Sequence, residues 1–276
     1  MRVGLLQMTS GDDPAANLQI TRTMMRQAAT AGADFILTPE VTNCLGANRA
    51  RQDQVLRHET DDPTLAALRD EARALGVWLS IGSLAVKTDD PDGRFANRSF
   101  LIAPDGGIVA RYDKIHMFDV TVSETESYRE SAGYRPGTQA VVADTDFGKV
   151  GLSVCYDLRF AYLYRALAQA GADILLVPSA FSAVTGKAHW DPLLRARAIE
   201  TGSFVIAAAQ TGTHGRAGGA LRQTHGHSMV ISPWGEVLLD AGTDIGPAMV
   251  DLDLAQVAQT RQRIAALHHD RDFTGP

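Results

Sequence analysis

The chain has 276 residues, of which 45% are hydrophobic and 21% charged, and its formal net charge is −6 at pH 7. This composition suits a globular protein with a sizeable core, and the scattered Lys and Arg residues argue against a nucleic-acid-binding surface. The N-terminal run MRVGLLQM is too short for a signal peptide or a membrane span. Two cysteines 111 positions apart make no disulfide framework, which favours a reducing, cytoplasmic setting.

Short apolar runs recur along the chain, and each ends in polar, Gly or Pro residues. Runs of this length and composition predict strands, several of them buried on both faces. The predicted strands cover residues 2–8, 34–40, 77–86, 97–104, 149–157, 173–181, 203–212, 227–234 and 248–254.

Stretches between these runs have apolar residues at helical spacing. The predicted helices cover residues 17–31, 63–75, 160–170 and 192–201, and Pro63 lies in the first turn of the second. This alternation of strands and helices predicts an α/β fold with covered sheets. Two turns, at 104–107 and 233–235, predict hairpins instead of crossovers.

No low-complexity run or Pro/Ser-rich linker divides the chain. We therefore predict one domain over residues 1–276, with a core over about residues 1–255 and a C-terminal tail after it. Residues 119–140 are the longest segment without clear periodicity, and such loops in compact domains are often functional. A faint internal similarity relates GADFILTPE (32–40) to GADILLVPSA (171–180), which suggests two similar halves packed sheet on sheet.

Three ionisable residues lie at the ends of predicted strands, where α/β folds place reactive groups. They are Glu40, Lys114 and Cys155. A thiol that attacks a carbonyl or nitrile carbon needs a base for its proton and a positive group for the oxyanion, which a glutamate and a lysine supply. Each residue also has an ordinary interpretation, because Cys155 suits a buried core position and Glu40 and Lys114 suit a solvated surface.

The segments FILTPE, YDKIHMFD and GLSVCYDLRF resemble the three signature segments of the nitrilase superfamily, the carbon–nitrogen hydrolases, in the family's order. The resemblance implies a four-layer α-β-β-α sandwich and amide hydrolysis through a thioester, with no metal or organic cofactor. It implies that Cys155 is the nucleophile, Glu40 the general base and Lys114 the oxyanion donor. Glu130 matches a second glutamate that orients Lys114 and the substrate nitrogen.

Further segments are similar to the Nit-type amidases of this superfamily. They are KIHMFDV (114–120), ESYRESAGYRPG (126–137), CYDLRF (155–160), TGKAHW (185–190), RARAIE (195–200) and GHSMVISPWG (226–235). The segment AAAQTGTHGR (207–216), followed by GHSM, looks more like the deaminated-glutathione amidase group than the ω-amidase group. The resemblance thus implies a small amide substrate that carries a carboxylate.

The resemblance also suggests residues that contact the substrate. The Tyr156 backbone N–H would be a second oxyanion donor, and the guanidinium of Arg159 suits a substrate carboxylate. Phe181 would form an apolar wall and Thr185 a polar contact. A structural ion pair for Arg159, a core position for Phe181 and a plain loop position for Thr185 are the alternatives.

The same four catalytic residue types also serve ω-amidases, N-carbamoyl amino acid amidohydrolases and nitrilases, so these reactions stay open. Pocket shape would decide among them, through loops such as 119–140 and 211–225. An interaction protein without catalysis on this fold is disfavoured, because all four residues are present. The resemblance also implies a homodimer or higher homo-oligomer, formed through helices at 160–170 and 192–201, with no nucleic-acid or membrane partner.

Other patterns carry no site. His225 and His227, like the pair His268 and His269, have no carboxylate or cysteine at ligand spacing, so we expect no metal. The segment GRAGGA (215–220) lacks the preceding strand and the following Lys-Ser/Thr of a phosphate-binding loop. Cys44 is interpreted as a packing residue, and no histidine is expected beside Cys155 to form a Cys–His dyad.

Overall fold

The computed structural model describes residues 1–122, 124, 127–215 and 221–275. Its strands are β1 (Arg2–Gln7), β2 (Phe35–Leu37), β3 (Trp78–Val86), β4 (Ala96–Ile102), β5 (Ile108–Asp113), β6 (Asp119–Thr121), β7 (Ser127–Arg129), β8 (Val141–Thr145), β9 (Gly148–Leu152), β10 (Ile174–Leu176), β11 (Phe204–Ala207), β12 (Thr211–His214), β13 (Arg222–His225), β14 (Met229–Ile231), β15 (Val237–Asp240) and β16 (Gly246–Asp251). Its helices are α1 (Pro14–Thr30), α2 (Arg49–Val55), α3 (Pro63–Leu75), α4 (Ala161–Gln169), α5 (Ala183–Thr201) and α6 (Ala255–Arg263). Short 3₁₀ helices cover Glu59–Asp61, Glu130–Ala132, Cys155–Arg159 and Ala266–His268.

Two mixed sheets form the centre of the fold. The first has the strand order β16-β1-β2-β3-β4-β5, and the second has the order β15-β14-β11-β10-β9-β8. Helices α1 and α3 contact the first sheet, and α4 and α5 contact the second. The sheets pack face to face with the helices outside, so the predicted α/β class and the four-layer α-β-β-α sandwich are confirmed.

Alternate side chains of the central strands divide between two cores, as the twofold period of a strand requires. Val3 and Leu5 of β1 join the core between the sheets, which also contains Leu152 of β9. Leu6, one position further along β1, instead joins the core beneath α1 and α3 with Met25. The strands are therefore buried on both faces, which explains why they read as near-continuous apolar runs.

The weak internal similarity corresponds to equivalent places in the two sheets. In each sheet a central strand, β2 or β10, lies between two parallel neighbours. The two predicted hairpins are also present, since β4 pairs antiparallel with β5 and β14 pairs antiparallel with β15.

Two predicted helices begin earlier than expected. The predicted start of α1 at Asn17 is wrong, because Pro14 is the first helical residue and the Asp13 carboxylate accepts hydrogen bonds from the first amides. The predicted start of α5 at Pro192 is also wrong. That helix begins at Ala183 and continues through Pro192, because Trp190, Leu194 and Ala198, on one face, are buried in the core. Packing outweighs the proline here. Helices α2 and α6 were not predicted.

The predicted strand over 149–157 is too long. Strand β9 ends at Leu152, and Cys155 begins the 3₁₀ helix Cys155–Arg159. The backbone at Cys155 has φ +49°, a left-handed conformation that a strand cannot continue. The segment 119–140, in turn, contains the hairpin β6–β7 and the 3₁₀ helix Glu130–Ala132. In the described part of the chain, no helix has the length and apolar character needed to span a bilayer.

Gly82 of β3 lies where strand ends of the two sheets meet. An ideal Cβ at this position would lie 2.0 Å from the carbonyl oxygen of Thr38 and 2.5 Å from Cβ of Pro178. Thr38 follows β2, and Pro178 follows β10 and accepts a 3.0 Å hydrogen bond from the N–H of Cys155. The absence of a side chain at Gly82 therefore lets the segments around Glu40 and Cys155 approach each other.

We predict that Gly82→Ala lowers the free energy of unfolding by about 3 kcal/mol, because the added methyl group forces the two backbone segments apart. Urea denaturation followed by circular dichroism measures the change. Gly11→Ala is the matched control, because an added Cβ there meets nothing within 4 Å and Gly11 has no positive φ. Equal stabilities of the two variants would contradict this account of the strand ends.

Candidate active site

A buried lysine joins two glutamates at one end of the sandwich. The Nζ atom of Lys114 lies 2.8 Å from Oε1 of Glu40, and 3.0 and 2.9 Å from the two carboxylate oxygens of Glu130. Lys114 is 2% exposed and Glu40 4% exposed. Three of the four residues predicted to be catalytic thus form one cluster of ion pairs, although they lie far apart in the sequence.

Asn97 and backbone amides hold the two glutamates in place. Nδ2 of Asn97 donates to Oε1 of Glu40 at 2.9 Å and to Oε1 of Glu130 at 3.3 Å. The N–H of Ala180 donates to the other oxygen of Glu40 at 2.8 Å, and the N–H of Phe118 donates to Glu130 at 2.7 Å. Because the donors occupy several lone pairs of each carboxylate, both carboxylates are fixed in orientation.

Cys155 lies beside this cluster in a strained turn. Its φ of +49° falls in the region that costs a non-glycine residue about 1–2 kcal/mol. Val41, the residue after Glu40, also has a positive φ, of 46°. Backbone strain of this kind persists where the surrounding structure holds it in place, and it concentrates at functional sites.

Asp157 ties the Cys155 turn to the Lys114 segment. One oxygen of this fully buried carboxylate accepts from the hydroxyl of Tyr112 at 2.7 Å and from the N–H of Val154 at 2.8 Å. The other oxygen accepts from the N–H of His116 at 3.0 Å and lies 2.6 Å from its Nδ1. A single carboxylate therefore links residues on both sides of Lys114 with the residue that precedes Cys155.

The charges of the cluster set the proton positions. Burial on its own raises the pKa of Glu40, but Lys114 and Arg222 outweigh it and lower the pKa of Glu40 to about 2. Burial lowers the pKa of Lys114, but Glu130 and Glu40 more than reverse this, so the pKa of Lys114 is well above its usual value. Burial and then the Glu40 carboxylate raise the pKa of the Cys155 thiol. At neutral pH a neutral thiol therefore lies beside an ionised glutamate and a protonated lysine.

A cavity of about 480 Å³ opens above the cluster, a size typical of small-molecule sites. The residues that line it include all four predicted catalytic residues. Its other lining residues are Val41, Cys44, Leu45, Gly46, Ala47, Gln52, Asn97, Phe118, Ser127, Tyr128, Arg129, Tyr134, Tyr156, Ala180, Phe181, Ser182, Thr185, Leu221 and Arg222.

Three of the four predicted substrate-binding residues line this cavity. Tyr156 is the second residue of a 3₁₀ helix, where backbone N–H groups have no partner within the helix. Phe181 packs against Trp190 with ring centroids 5.0 Å apart, and the buried hydroxyl of Thr185 has no hydrogen-bond partner among the described residues. Arg159 is absent from the described lining. Its guanidinium lies 5.8 Å from the Tyr156 ring and 5.4 Å from the Phe181 ring, and 3.3 Å from Nδ1 of His189.

Sequence reasoning missed several residues of the site. Asn97 contacts both glutamates, yet nothing marks it in the sequence except a polar residue at the start of an apolar run. Arg222 lowers the pKa of Glu40 and also lines the cavity, but it follows a segment without recognisable periodicity. Tyr134 lines the cavity and lies within one of the segments that resemble the family.

The remaining sequence patterns fall outside the cluster. Within the described residues, no group of three His, Cys, Asp or Glu side chains is arranged to hold a metal ion. The rings of His225 and His227 stack 4.5 Å apart, and His227 contacts Asp240. Cys44 packs with Leu45 and Leu56 at the cavity wall. Residues 123, 125 and 126 of the segment 119–140 and residues 216–220, which include most of GRAGGA, lie outside the described residues.

Comparisons with known proteins agree with this geometry. The carbon–nitrogen hydrolase family profile matches residues 2–262. The deaminated glutathione amidase of Yersinia enterocolitica is 39% identical over 270 residues, which cover 98% of this chain and 92% of that protein.

Solved structures give the same result for the fold. The Caenorhabditis elegans NitFhit protein superposes with a TM-score of 0.89 at 36% identity. The match covers 98% of this chain but 65% of that chain, so the present chain spans less than two thirds of the fusion protein. A variant of the amidase from Nesterenkonia sp. AN1, whose active-site cysteine carries acrylamide from a Michael addition, superposes with a TM-score of 0.78 at 27% identity, covering 96% of this chain and 98% of that chain.

The depressed pKa of Glu40 predicts a pH-dependent contribution to stability. A shift from 4.5 to about 2 stabilises the folded protein by about 3 kcal/mol above pH 4.5, and this contribution is lost as the pH falls from about 4.5 toward 2. We expect Glu40→Gln to have a lower free energy of unfolding than the unmodified protein at about pH 6. This difference in the free energy of unfolding is expected to be smaller by about 2 kcal/mol at about pH 3.

Urea denaturation of both proteins at the two pH values measures this difference. Glu236→Gln, which removes an exposed carboxyl group on the turn between β14 and β15, is the matched control. The ion-paired state of Glu40 would be contradicted if the stability difference of Glu40→Gln from the unmodified protein were the same at both pH values. It would also be contradicted if the stability difference of Glu236→Gln fell by the same amount between them.

Proposed function

Since the chain belongs to the carbon–nitrogen hydrolase family, we propose that it is a cysteine-dependent amidase that converts a small carboxylate-bearing amide to an acid and ammonia or an amine. One observation carries this proposal. Lys114 bridges Glu40 and Glu130 through hydrogen bonds of 2.8 to 3.0 Å on the wall of the cavity that Cys155 also lines. A nucleophile, a base and a cation for the oxyanion thus converge on one space.

In the first half of the reaction, Glu40 takes the proton of Cys155 as its sulfur attacks the amide carbon. Because the pKa of the thiol is raised and that of Glu40 is low, the proton moves only as the sulfur–carbon bond forms. The oxyanion of the tetrahedral intermediate is stabilised by Lys114 and the N–H of Tyr156. As the carbon–nitrogen bond breaks, Glu40 protonates the leaving nitrogen and a thioester remains on Cys155.

In the second half, a water molecule replaces the departed amine. Glu40 accepts a proton from this water as its oxygen attacks the thioester carbon. The carbon–sulfur bond then breaks, the acid leaves, and the proton on Glu40 returns to Cys155. Glu130 acts through Lys114, since its carboxylate holds the ammonium group by two hydrogen bonds and keeps it aimed at the oxyanion.

A carboxylate-bearing amide of the deaminated glutathione or 2-oxo-acid ω-amide type suits the cavity best. The Yersinia relative is a deaminated glutathione amidase. The cavity holds Thr185 and Arg222, whose donors suit an anionic group, together with the aromatic walls of Tyr128 and Phe181. The acrylamide adduct in the Nesterenkonia amidase supports a reactive cysteine in such a site.

We also propose that the protein works in a reducing, cytoplasmic setting as a homodimer or higher homo-oligomer. The two cysteines are free and buried, as a reducing setting allows. Tyr162 of α4, Ile199 of α5 and Ile264 are large apolar residues with 67%, 54% and 54% exposure, which supports an interface that includes these helices. A monomer in sedimentation analysis would contradict the assembly.

We predict that Cys155→Ala abolishes detectable ammonia or amine release from every amide tested, because no other group forms the thioester. The panel contains deaminated glutathione, 2-oxoglutaramate, an N-carbamoyl amino acid, a nitrile and a neutral aliphatic amide. Cys44→Ala, which removes the other cysteine, is the control and is expected to retain turnover. Hydrolysis by a folded Cys155→Ala protein would overturn the mechanism, and best turnover of the neutral amide would overturn the substrate class.

A further inference from the structure

Among the described residues, three cations line the cavity, and they are Lys114, Arg129 and Arg222. Lys114 is held by two carboxylates, as described above. Arg129 donates from Nη1 to the carbonyl oxygens of Val120 at 3.2 Å and Tyr128 at 2.7 Å. Arg222 donates from Nη2 to the carbonyl oxygen of Ala180, but its Nε is buried and has no partner among the described residues. Arg222 therefore keeps unused donors beside the cavity.

A second unused donor belongs to Thr185. Its hydroxyl is buried, lines the same cavity and has no partner among the described residues. A buried polar group without a partner destabilises the protein, and a ligand that supplies the missing acceptor removes this cost. Two such donors at one cavity therefore point to an acceptor that belongs to the ligand.

Packing fixes Arg222 and Thr185 relative to each other. Strand β13 begins at Arg222, and its last residue His225 donates its N–H to the carbonyl oxygen of Phe181 at 3.0 Å. The His225 ring lies against Gly186 of α5, where an ideal Cβ would lie 2.3 Å from Cγ of the ring. Because Gly186 adjoins Thr185, this close contact docks the strand that carries Arg222 onto the helix turn that carries the free hydroxyl.

Charge and aromatic contacts keep the Arg222 guanidinium at the cavity wall. Its Cζ lies 5.4 Å from the centre of the Tyr128 ring, a cation–π distance. Ala180 links Arg222 to Glu40, because its carbonyl oxygen accepts from Arg222 and its N–H donates to Glu40 at 2.8 Å. Arg222 and Lys114 balance the charges of Glu40 and Glu130, so an anionic substrate group adds to a site that is not already negative.

We propose that Arg222 and Thr185 form the subsite that binds a carboxylate of the amide substrate. This inference rests on the proposed amidase function and adds the residues that select the substrate. The planar guanidinium offers parallel donors to the two carboxylate oxygens, and the hydroxyl of Thr185 donates a further hydrogen bond. Arg159, which the sequence favoured for this role, lies with its guanidinium over the rings of Tyr156 and Phe181 and is the rival candidate.

The test compares two amides of equal length, succinamate, which carries a carboxylate, and the neutral butyramide. Arg222→Met is expected to lower kcat/KM for succinamate about 10- to 100-fold more than for butyramide, through KM, because hydrogen bonds to a charged group are lost. Arg222→Lys is expected to recover part of the preference for succinamate over butyramide, since lysine restores the positive charge but not the planar guanidinium. Thr185→Val is expected to reduce the preference by a smaller factor.

Arg159→Met is the matched comparison, because it removes the same charge from a guanidinium beside the cavity. An unchanged preference in Arg222→Met, or a loss confined to Arg159→Met, would overturn the inference. Thermal unfolding of each variant establishes that the proteins compared are folded.

Binding of succinate to Cys155→Ala, measured by calorimetry, tests the subsite without turnover. Adding Arg222→Met to this protein is expected to weaken binding at least about 10-fold. Equal binding with and without Arg222 would overturn the subsite even if the amidase function holds. If the unmodified protein hydrolyses no amide but succinate binding still depends on Arg222, the amidase function is overturned and the subsite remains supported.

Discussion

The site depends on one interaction, the burial of the Lys114 ammonium group between the carboxylates of Glu40 and Glu130. A buried ion costs several kcal/mol unless an opposite charge and hydrogen bonds compensate it, so none of the three charges is stable there without the others. The N–H of Ala180 binds the Glu40 oxygen that Lys114 does not reach. Asn97 and the N–H of Phe118 add hydrogen bonds to carboxylate oxygens that Lys114 also contacts. With the cluster in place, Glu40 remains ionised beside a neutral thiol.

The two-sheet sandwich places this cluster where strands end. Glu40 follows β2 and Lys114 follows β5 in the first sheet, whereas Cys155 follows β9 in the second. The face-to-face packing of the sheets brings these ends together. Asp157 fixes the distance between them, because its carboxylate binds the segment of Lys114 and the turn of Cys155 at once. The positive φ of Cys155 then turns the thiol out of the strand direction and toward the cavity.

The fold and the convergence of four side chains on one cavity were largely predictable, and the other residues that line this cavity were not. Glu40, Lys114, Cys155 and Glu130 lie in segments with family-like sequence, so local pattern was sufficient to find them. The predicted start of α5 was wrong because the helix continues through Pro192. Burial of Trp190 and Leu194 on one face stabilises it there, and no local sequence rule reveals this burial. Arg222 belongs to the site only because His225 docks on Gly186, a contact between segments about 40 residues apart. Such tertiary contacts leave no local signature.

The resting enzyme holds a neutral Cys155 thiol beside an ionised Glu40, so that the proton moves only when substrate is attacked. The ultraviolet absorbance of a thiolate, taken as the difference between the protein and its Cys155→Ala variant, tests this directly from about pH 6 to about pH 9. Because burial and Glu40 raise the pKa of the thiol, we expect no thiolate signal over this range. A thiolate signal that is complete near neutral pH would contradict the account and show that Cys155 and Lys114 form a preformed ion pair instead.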